Sequence, residues 1–265
     1  MSEYALKLSE VELARYQRMA EAAGGMDPDL WTAAGIVPGA VVADVGCGPG
    51  AVSVVMARLV GPGGRVIAVD REAATVGAAS QAGAAAGASN LTVQEGDADD
   101  TGIAPGSVDV VMIRHVLAHN GGREEAIVRH AATLVRPGGS VYLADVEMTA
   151  LRMRPSDADI EDQSDRYRQW HDKRGNDVSV GLRLGELLVA AGLEVQRHEG
   201  RYLIASSPPG FRPPSWAACD ALVADGLASP ADLDRWPGAF ARLDMRQTRP
   251  TMFVPLFMAS GQKPL

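Results

Sequence analysis

The chain has 265 residues, a formal net charge of −8 at pH 7 and a pI near 5.2. Hydrophobic residues make up 46% and charged residues 22%, which is ordinary globular composition for one large α/β domain or a domain with a small cap. The acidic balance argues against a nucleic-acid or anionic-membrane surface, no apolar run reaches the ~18 residues of a membrane helix, and two cysteines, Cys47 and Cys219, exclude a disulfide-rich scaffold and a four-cysteine zinc site.

The N-terminus, from Met1 to Lys7, carries an acid and lacks an apolar signal core, so a reducing, cytoplasmic setting is expected. Leu6, Val11, Leu13, Tyr16 and Met19 recur at helical spacing; Ser9 with Glu12 fits a capping box, and Gly24-Gly25 stops the helix. From residue 40, short apolar runs alternate with helical stretches. Strands are expected at Val41–Val45, Val66–Val69, Leu91–Gln94, Val108–Ile113 and Val141–Val146. Helices are expected at Ala51–Leu59, Ala73–Ala86 and Glu124–Val135, with Ile127, Ala131 and Leu134 on one face and Pro137-Gly138-Gly139 forming a turn. Strands apolar throughout, joined by helices, predict a parallel, doubly wound sheet covered on both faces.

The second half is less regular. Residues 148–178 are polar, Gly181–Ala191 reads as helix and Glu194–Ile204 as strand. The Pro-rich 207–214 cannot be a central strand, helices are expected near 215–226 and 231–244, and Pro255 makes the last apolar run, 251–260, an edge strand or places a bulge in it. Residues 32–141 contain no aromatic, whereas nine of thirteen lie from Tyr167 onward. A small-residue core and a cap with large side chains follow.

The run Val41 to Gly50 carries the strongest chemical signal: a strand enters a glycine turn, Gly46, Gly48 and Gly50, that opens a helix. Glycines there permit positive φ and close ligand approach, and the helix N-terminus offers unpaired N–H groups. Gly46, Gly48 and Ala51 match a dinucleotide fingerprint loosely. Asp44, two residues before the first glycine, counts against it, because a carboxylate there repels a pyrophosphate and suits a ligand with an ammonium or sulfonium. Asp70 ends the second strand, where an acid accepts from both ribose hydroxyls. Asp97 follows the third strand and can accept from an adenine amino group. In a doubly wound sheet the three acids share one crevice.

Residues 40–147 resemble the class I S-adenosylmethionine-dependent methyltransferases. Asp44-Val45-Gly46-Cys47-Gly48-Pro49-Gly50 resembles their first motif, Val69-Asp70 their second acid and Gly96-Asp97-Ala98 their adenine-side motif. Arg114-His115-Val116-Leu117-Ala118-His119 and Leu134-Val135-Arg136-Pro137-Gly138-Gly139 resemble the small-molecule branch related to ubiquinone and menaquinone methyltransferases, and Met252–Pro264 its final antiparallel strand. The resemblance implies an α/β, doubly wound, seven-stranded, mostly parallel sheet with a helical cap. It also implies S-adenosyl-L-methionine as cofactor, released as S-adenosyl-L-homocysteine. Asp44 would hold the methionine ammonium, and Gly46, Gly48 and Gly50 would line methionine and ribose. Asp70 would bind the ribose hydroxyls, Arg71 would stack near adenine, and Asp97 with Ala98 would contact the base. The Arg114-His115 segment would pass the methionine by main chain, and Tyr16 would touch its carboxylate from a lid.

Other readings attach to single residues. Cys47 and Cys219 read as small structural fillers. The five histidines lack metal spacing, so no metal is expected. His119 either hydrogen-bonds a helix end or serves as a general base; His115 and His171 follow it as base candidates. Tyr167, Trp170 and His171 share a helix face, as cap core or substrate box. The mixed run from Arg152 to Arg174 reads as a solvated helix face.

The expected organisation is an N-terminal helical lid (1–35) and a cofactor core (36–147, 179–206 and 249–265). Two cap insertions, 148–178 and 207–248, complete it. The expected function is methyl transfer to an apolar or aromatic small molecule. The Arg-rich, Lys-poor composition fits bacterial specialised metabolism, and the protein is expected to be a monomer or homodimer. Two alternatives stay open: a non-methylating protein on the same fold, such as a cofactor-binding cyclase, and a nicotinamide-dependent oxidoreductase.

Overall fold

The computed structural model describes residues 13–20 and 28–265. Leu6, Val11, the Ser9–Glu12 capping box and the Gly24-Gly25 stop lie outside these. Residues 13–20 are helical (α1) and turn Arg15, Tyr16, Met19 and Ala20 inward at helical spacing. After α2 (Pro28–Ala33) the chain alternates as β1 (Val41–Val45), α3 (Ala51–Val60), β2 (Arg65–Asp70), α4 (Ala73–Ala85), β3 (Leu91–Glu95), β4 (Val108–Arg114), α5 (Glu124–Leu134) and β5 (Val135–Val146). These five strands are parallel, in the order β3-β2-β1-β4-β5.

The core explains why the central stretches of β1, β4 and β5 carry apolar residues at odd and even positions alike. Ala43, Val45, Val111 and Ile113 pack under Ile127, Ala131 and Leu134 of α5 on one face. Their neighbours Val42, Val110 and Met112 pack on the other with Trp31, Met56 and Val60. Successive side chains point to opposite faces, so a sheet covered twice needs apolar residues at odd and even positions alike.

The remaining elements are β6 (Arg152–Arg154), α6 (Ala158–Lys173), α7 (Leu184–Ala190), β7 (Glu194–Ser206), α8 (Pro214–Ala217), α9 (Cys219–Ala224), α10 (Pro230–Asp244) and β8 (Thr251–Gln262). β8 pairs antiparallel with β5 on one edge and β7 on the other. The sheet has eight strands, not seven. The eighth, β6, pairs with Thr251–Phe253 of β8 on the edge where β5 ends at Leu256, so it prolongs the line of β5. Pro255 therefore sits in an interior strand, not an edge. It falls between the last partner of β5, Leu256, and the first of β6, Phe253, where that edge has no ladder. Pro137-Gly138-Gly139 lies within β5 as a bulge, because the register jumps from Val108↔Val135 to Val110↔Ser140.

The polar segment 148–178 folds chiefly as the 16-residue α6. Its charges divide: Arg152, Arg154, Glu161, Asp165, Asp172 and Lys173 are exposed, as expected of a solvated face, while others turn to α10. Asp157 accepts from Arg242 at 2.9 Å, Asp159 and Asp162 pair with Arg235, and Arg166 reaches Asp232 at 3.1 Å, all on α10. Tyr167 and Trp170 of α6 form a small core with Ala218, Leu222 and Trp236, and Ile160 packs with Ala239, Phe240 and Leu243. α6 and α10 thus build a cap with its own interior. Among the described residues, no helix is long and apolar enough to cross a membrane.

Candidate functional site

One cavity opens at the carboxyl ends of the parallel strands. Asp44 is the penultimate residue of β1, Asp70 the last of β2, Asp97 follows β3, His115 follows β4 and Asp145 is penultimate in β5; all five line it. The glycine turn enters from below, Arg15, Tyr16 and Met19 of α1 from one side, and Met148 and Pro214 from the cap side.

The turn is built by backbone demands. Gly46 has φ +73°, and a Cβ there would meet Val116 Cγ2 at 2.4 Å. Only glycine satisfies both constraints. The Gly48 N–H donates to Asp70 Oδ2 at 3.0 Å, and the Glu72 N–H to Oδ1 at 3.2 Å. Asp70 is thereby pinned with lone pairs left for further donors. Gly50 does not line the cavity: a Cβ there would meet Ala79 Cα at 2.9 Å, so it permits α3 to approach α4.

Asp44 is buried and accepts from Ser53 Oγ at 2.5 Å. Desolvation raises its carboxyl to about 6; the Ser53 bond works against that, Asp70 adds to it and Arg114 opposes it. A ligand cation would restore its charge. Burial alone would raise Asp97, but Arg123, 2.7 Å away, and the Ala98 N–H hold it below the usual carboxylate range. These bonds engage Oδ1. Arg123 also holds Asp99 at 2.6 Å, which fixes the loop after β3.

Arg71, Ala98 and Arg114 line the same cavity, as do Tyr16, Gly46 and Gly48. Of the expected bases, His115 and His119 line it and His171 does not. His171 is fully buried behind His119, with ring centroids 5.0 Å apart, and Asn176 Nδ2 lies 3.0 Å from its Nδ1. Burial lowers His119 to about 4 and His171 to about 3. Burial also pushes the Cys47 thiol well up and Cys219 to about 11, so neither is an accessible thiolate. No group of His, Cys, Asp or Glu among the described residues could hold a metal.

Sequence reasoning missed Arg15, Met19, Ser53, Arg123, Asp145, Met148 and Pro214. Asp145 obeys the strand-end rule that located Asp44 and Asp70, so its signal was present. Met148 and Pro214 carry no local signal, because their place depends on how the cap lies. The cap aromatics do not line the cavity; they fill the cap interior, so they give no evidence about the acceptor.

A family model described as a methyltransferase domain matches residues 36–200. A nocamycin O-methyltransferase of Saccharothrix syringae is 37% identical over 106 residues, 40% of this chain and 38% of that one. A ubiquinone biosynthesis O-methyltransferase of Cupriavidus pinatubonensis is 36% identical over 112 residues, 41% of this chain and 42% of that one. The chain thus spans well under half the length of these relatives. The solved structure of a candidate methyltransferase from Bacillus halodurans superposes with a TM-score of 0.62 at 17% identity, over 91% of this chain and 100% of the other. That likeness is one of fold.

Proposed function

We propose, from the premise that this chain belongs to the methyltransferase-domain family and to its class I S-adenosylmethionine-dependent kind, that it methylates an apolar or aromatic small molecule. The convergence of Asp44, Asp70 and Asp97 on one cavity carries this reading.

The residues fit an adenosyl amino acid with a positive sulfur. Asp44, uncomfortable as a buried anion, would hold the methionine ammonium. Asp70 would accept from the ribose hydroxyls, and Asp97 with the Ala98 backbone would meet adenine. Gly46 and Gly48 would line the ligand with backbone, Tyr16 would cover it from α1, and Arg71 would flank the adenine side. When bound, S-adenosylmethionine supplies a sulfonium-activated methyl group whose departure leaves a neutral thioether.

The chain's own task is then to position the acceptor and exclude water. Met19, Val116, Val146, Met148 and Pro214 give the cavity apolar lining. The helical stretch α1 and the insertions 148–178 and 207–248 would act as its lid. Two relatives are O-methyltransferases by name, which favours an oxygen acceptor. The carboxylates of Asp44 and Asp70 on one cavity disfavour a pyrophosphate, and with it a nicotinamide cofactor.

Calorimetry with S-adenosylhomocysteine and NAD tests this, followed by S-adenosylhomocysteine release against a panel of small aromatic acceptors. Binding of the homocysteine product and not of NAD is expected. Binding with no consumption of S-adenosylmethionine would point to a non-methylating protein on this fold. No binding, with Asp70→Ala behaving as wild type, overturns the reading.

A further inference from the structure

We infer that the free edge of β7 is where a second copy of this chain docks. The two β7 strands pair antiparallel about a two-fold axis at Gly200, so that one sheet runs through a homodimer. Outside the cavity at the carboxyl ends of the parallel strands, this surface stands independently of the methyl-transfer reading.

The topology leaves one long edge. β8 lies between β5 and β6 on one side and β7 on the other, and among the described residues β7 pairs with β8 alone. The opposite end of the sheet is β3, with 5 residues, whereas β7 has 13. An edge strand presents a row of unpaired N–H and C=O groups, and proteins commonly keep such edges short or interrupt them with proline. Pro208 and Pro209 come only after β7 has ended, and the bulge between Val195 and Arg197 bends only its start.

Apolar side chains gather at the same edge. A Cβ on Gly185 would meet His198 Nδ1 at 2.9 Å, so α7 lies against the His198 face of β7. Tyr202 and Ile204 share that face, since side chains alternate along a strand. Leu182 and Val189 stand three before and four after Gly185, on one helical stripe. These four side chains are 55–63% exposed, and with Val195 they make five of the eleven large apolar groups exposed among the described residues. Such clustering marks a docking surface.

The strand is complementary to itself. Gly200 is the midpoint of Glu194–Ser206, so an axis there pairs the whole of one β7 with the other. Glu199 has Arg201 at 2.5 Å and Arg197 at 3.9 Å in its own chain. About the axis it faces Arg201 of the second copy, twice over by symmetry, and Tyr202 faces the second copy's His198. An axis one residue earlier sets Glu199 against Glu199, and one residue later Arg201 against Arg201; like charges directly opposite destabilise a sheet. An axis at His198 matches charges but leaves residues 203–206 beyond the end of the other strand.

The helices fit the same symmetry. Leu188 of α7 packs on Gly261 of β8 as Gly185 does on β7, so α7 spans both strands. With strands about 4.8 Å apart, the two copies of α7 lie roughly 10 Å from each other on one face of the joined sheet, near the distance at which helices pack. Leu182 and Val189 of each copy fill the space between. A surface that answers itself in charge, length and helix spacing fits a second copy rather than an unrelated strand, and such an isologous contact closes at a dimer.

The test is sedimentation velocity of the full-length protein from about 1 to 100 µM, with Glu199→Arg and Arg201→Glu beside the wild type. Neither side chain lines the cavity or is buried, so circular dichroism should show native folds. The wild type should dimerise in this range, with β7 amides gaining protection from hydrogen exchange as concentration rises. Each variant alone sets like charges opposite and should weaken dimerisation about tenfold or more. Mixed in equal amounts, the two variants oppose unlike charges at both positions, and a mixed dimer should return. A wild type monomeric throughout the range would overturn the inference and leave this edge to a different chain. So would a dimer indifferent to both variants, one whose β7 amides exchange as in the monomer, or one lost in the variants and not recovered on mixing.

Discussion

Between residues 32 and 141 the chain has no aromatic residue, whereas the cap centres on Tyr167, Trp170, Trp236 and Phe240. The cofactor half packs small side chains on a sheet and places its polar groups by backbone position: the end of a strand, a glycine turn. Apart from β6, which joins the sheet beside β8, the cap is helical. It joins α6 to α10 through large rings and through Arg–Asp pairs between residues some 60 to 85 positions apart. Chemistry set by local geometry can be read from a motif, but a cap held by long-range pairs cannot.

That contrast can be broken by substitution. Trp236 is 1% exposed, packs against Tyr167 and Trp170, and donates to Asp162 at 3.2 Å. Trp236→Ala should cost about 3–5 kcal/mol of stability, read by denaturant unfolding, and should loosen the cap first. A loss under 1 kcal/mol would show that the cap has no real interior.

The next effect belongs to the core. Asp70→Ala removes an acceptor shared by two backbone N–H groups and, on the present reading, by the ribose. Affinity for S-adenosylhomocysteine should fall roughly 100-fold, as loss of charge-assisted hydrogen bonds implies. Calorimetry checks this, and an unchanged Kd would remove Asp70 from the site.

A smaller, pH-dependent effect follows from Asp44. Its folded carboxyl titrates at about 6, and only the ionised form attracts an ammonium. Affinity should therefore be full above that pH and decline below it, by up to about tenfold per unit. Ser53→Ala removes a bond that favours the ionised form, so the decline should begin at higher pH. Binding measured from pH 5 to 8 with both proteins decides it; a flat profile would detach Asp44 from the ligand's charge.

The smallest effect is expected at Arg242, whose exposed guanidinium bridges Asp157 and Asp159. Arg242→Ala should lower the melting temperature only slightly, with the difference vanishing in high salt, because exposed ion pairs are screened. A large, salt-independent loss would mean that the charge network, and not the aromatic interior, holds the cap.

Much of the core was legible for a physical reason. Val42 and Ala43, or Met112 and Ile113, face opposite layers, so a doubly covered sheet writes itself as an unbroken apolar run. Asp44, Asp70 and Asp97 were legible because a parallel sheet brings all strand ends to one side. Gly50 was placed at the ligand by its motif, yet it serves helix packing, because a glycine signals close approach without saying of what. Glu161, Asp165, Asp172 and Lys173 are exposed as the mixed charge pattern suggests, but Asp159, Asp162 and Arg166 have partners in α10, beyond any local window. His171 shares a helix face with Tyr167 and Trp170 and follows them into the cap interior rather than the cavity.

The amino-acid order by itself determined the alternation of strand and helix, the glycine turn and the acids at strand ends, since these follow from neighbours a few residues apart. Only the tertiary structure decided which histidines line the cavity, where β6 joins the sheet and what the cap encloses. Each of those depends on distant segments meeting, and burial, distance and pairing exist only once they have met.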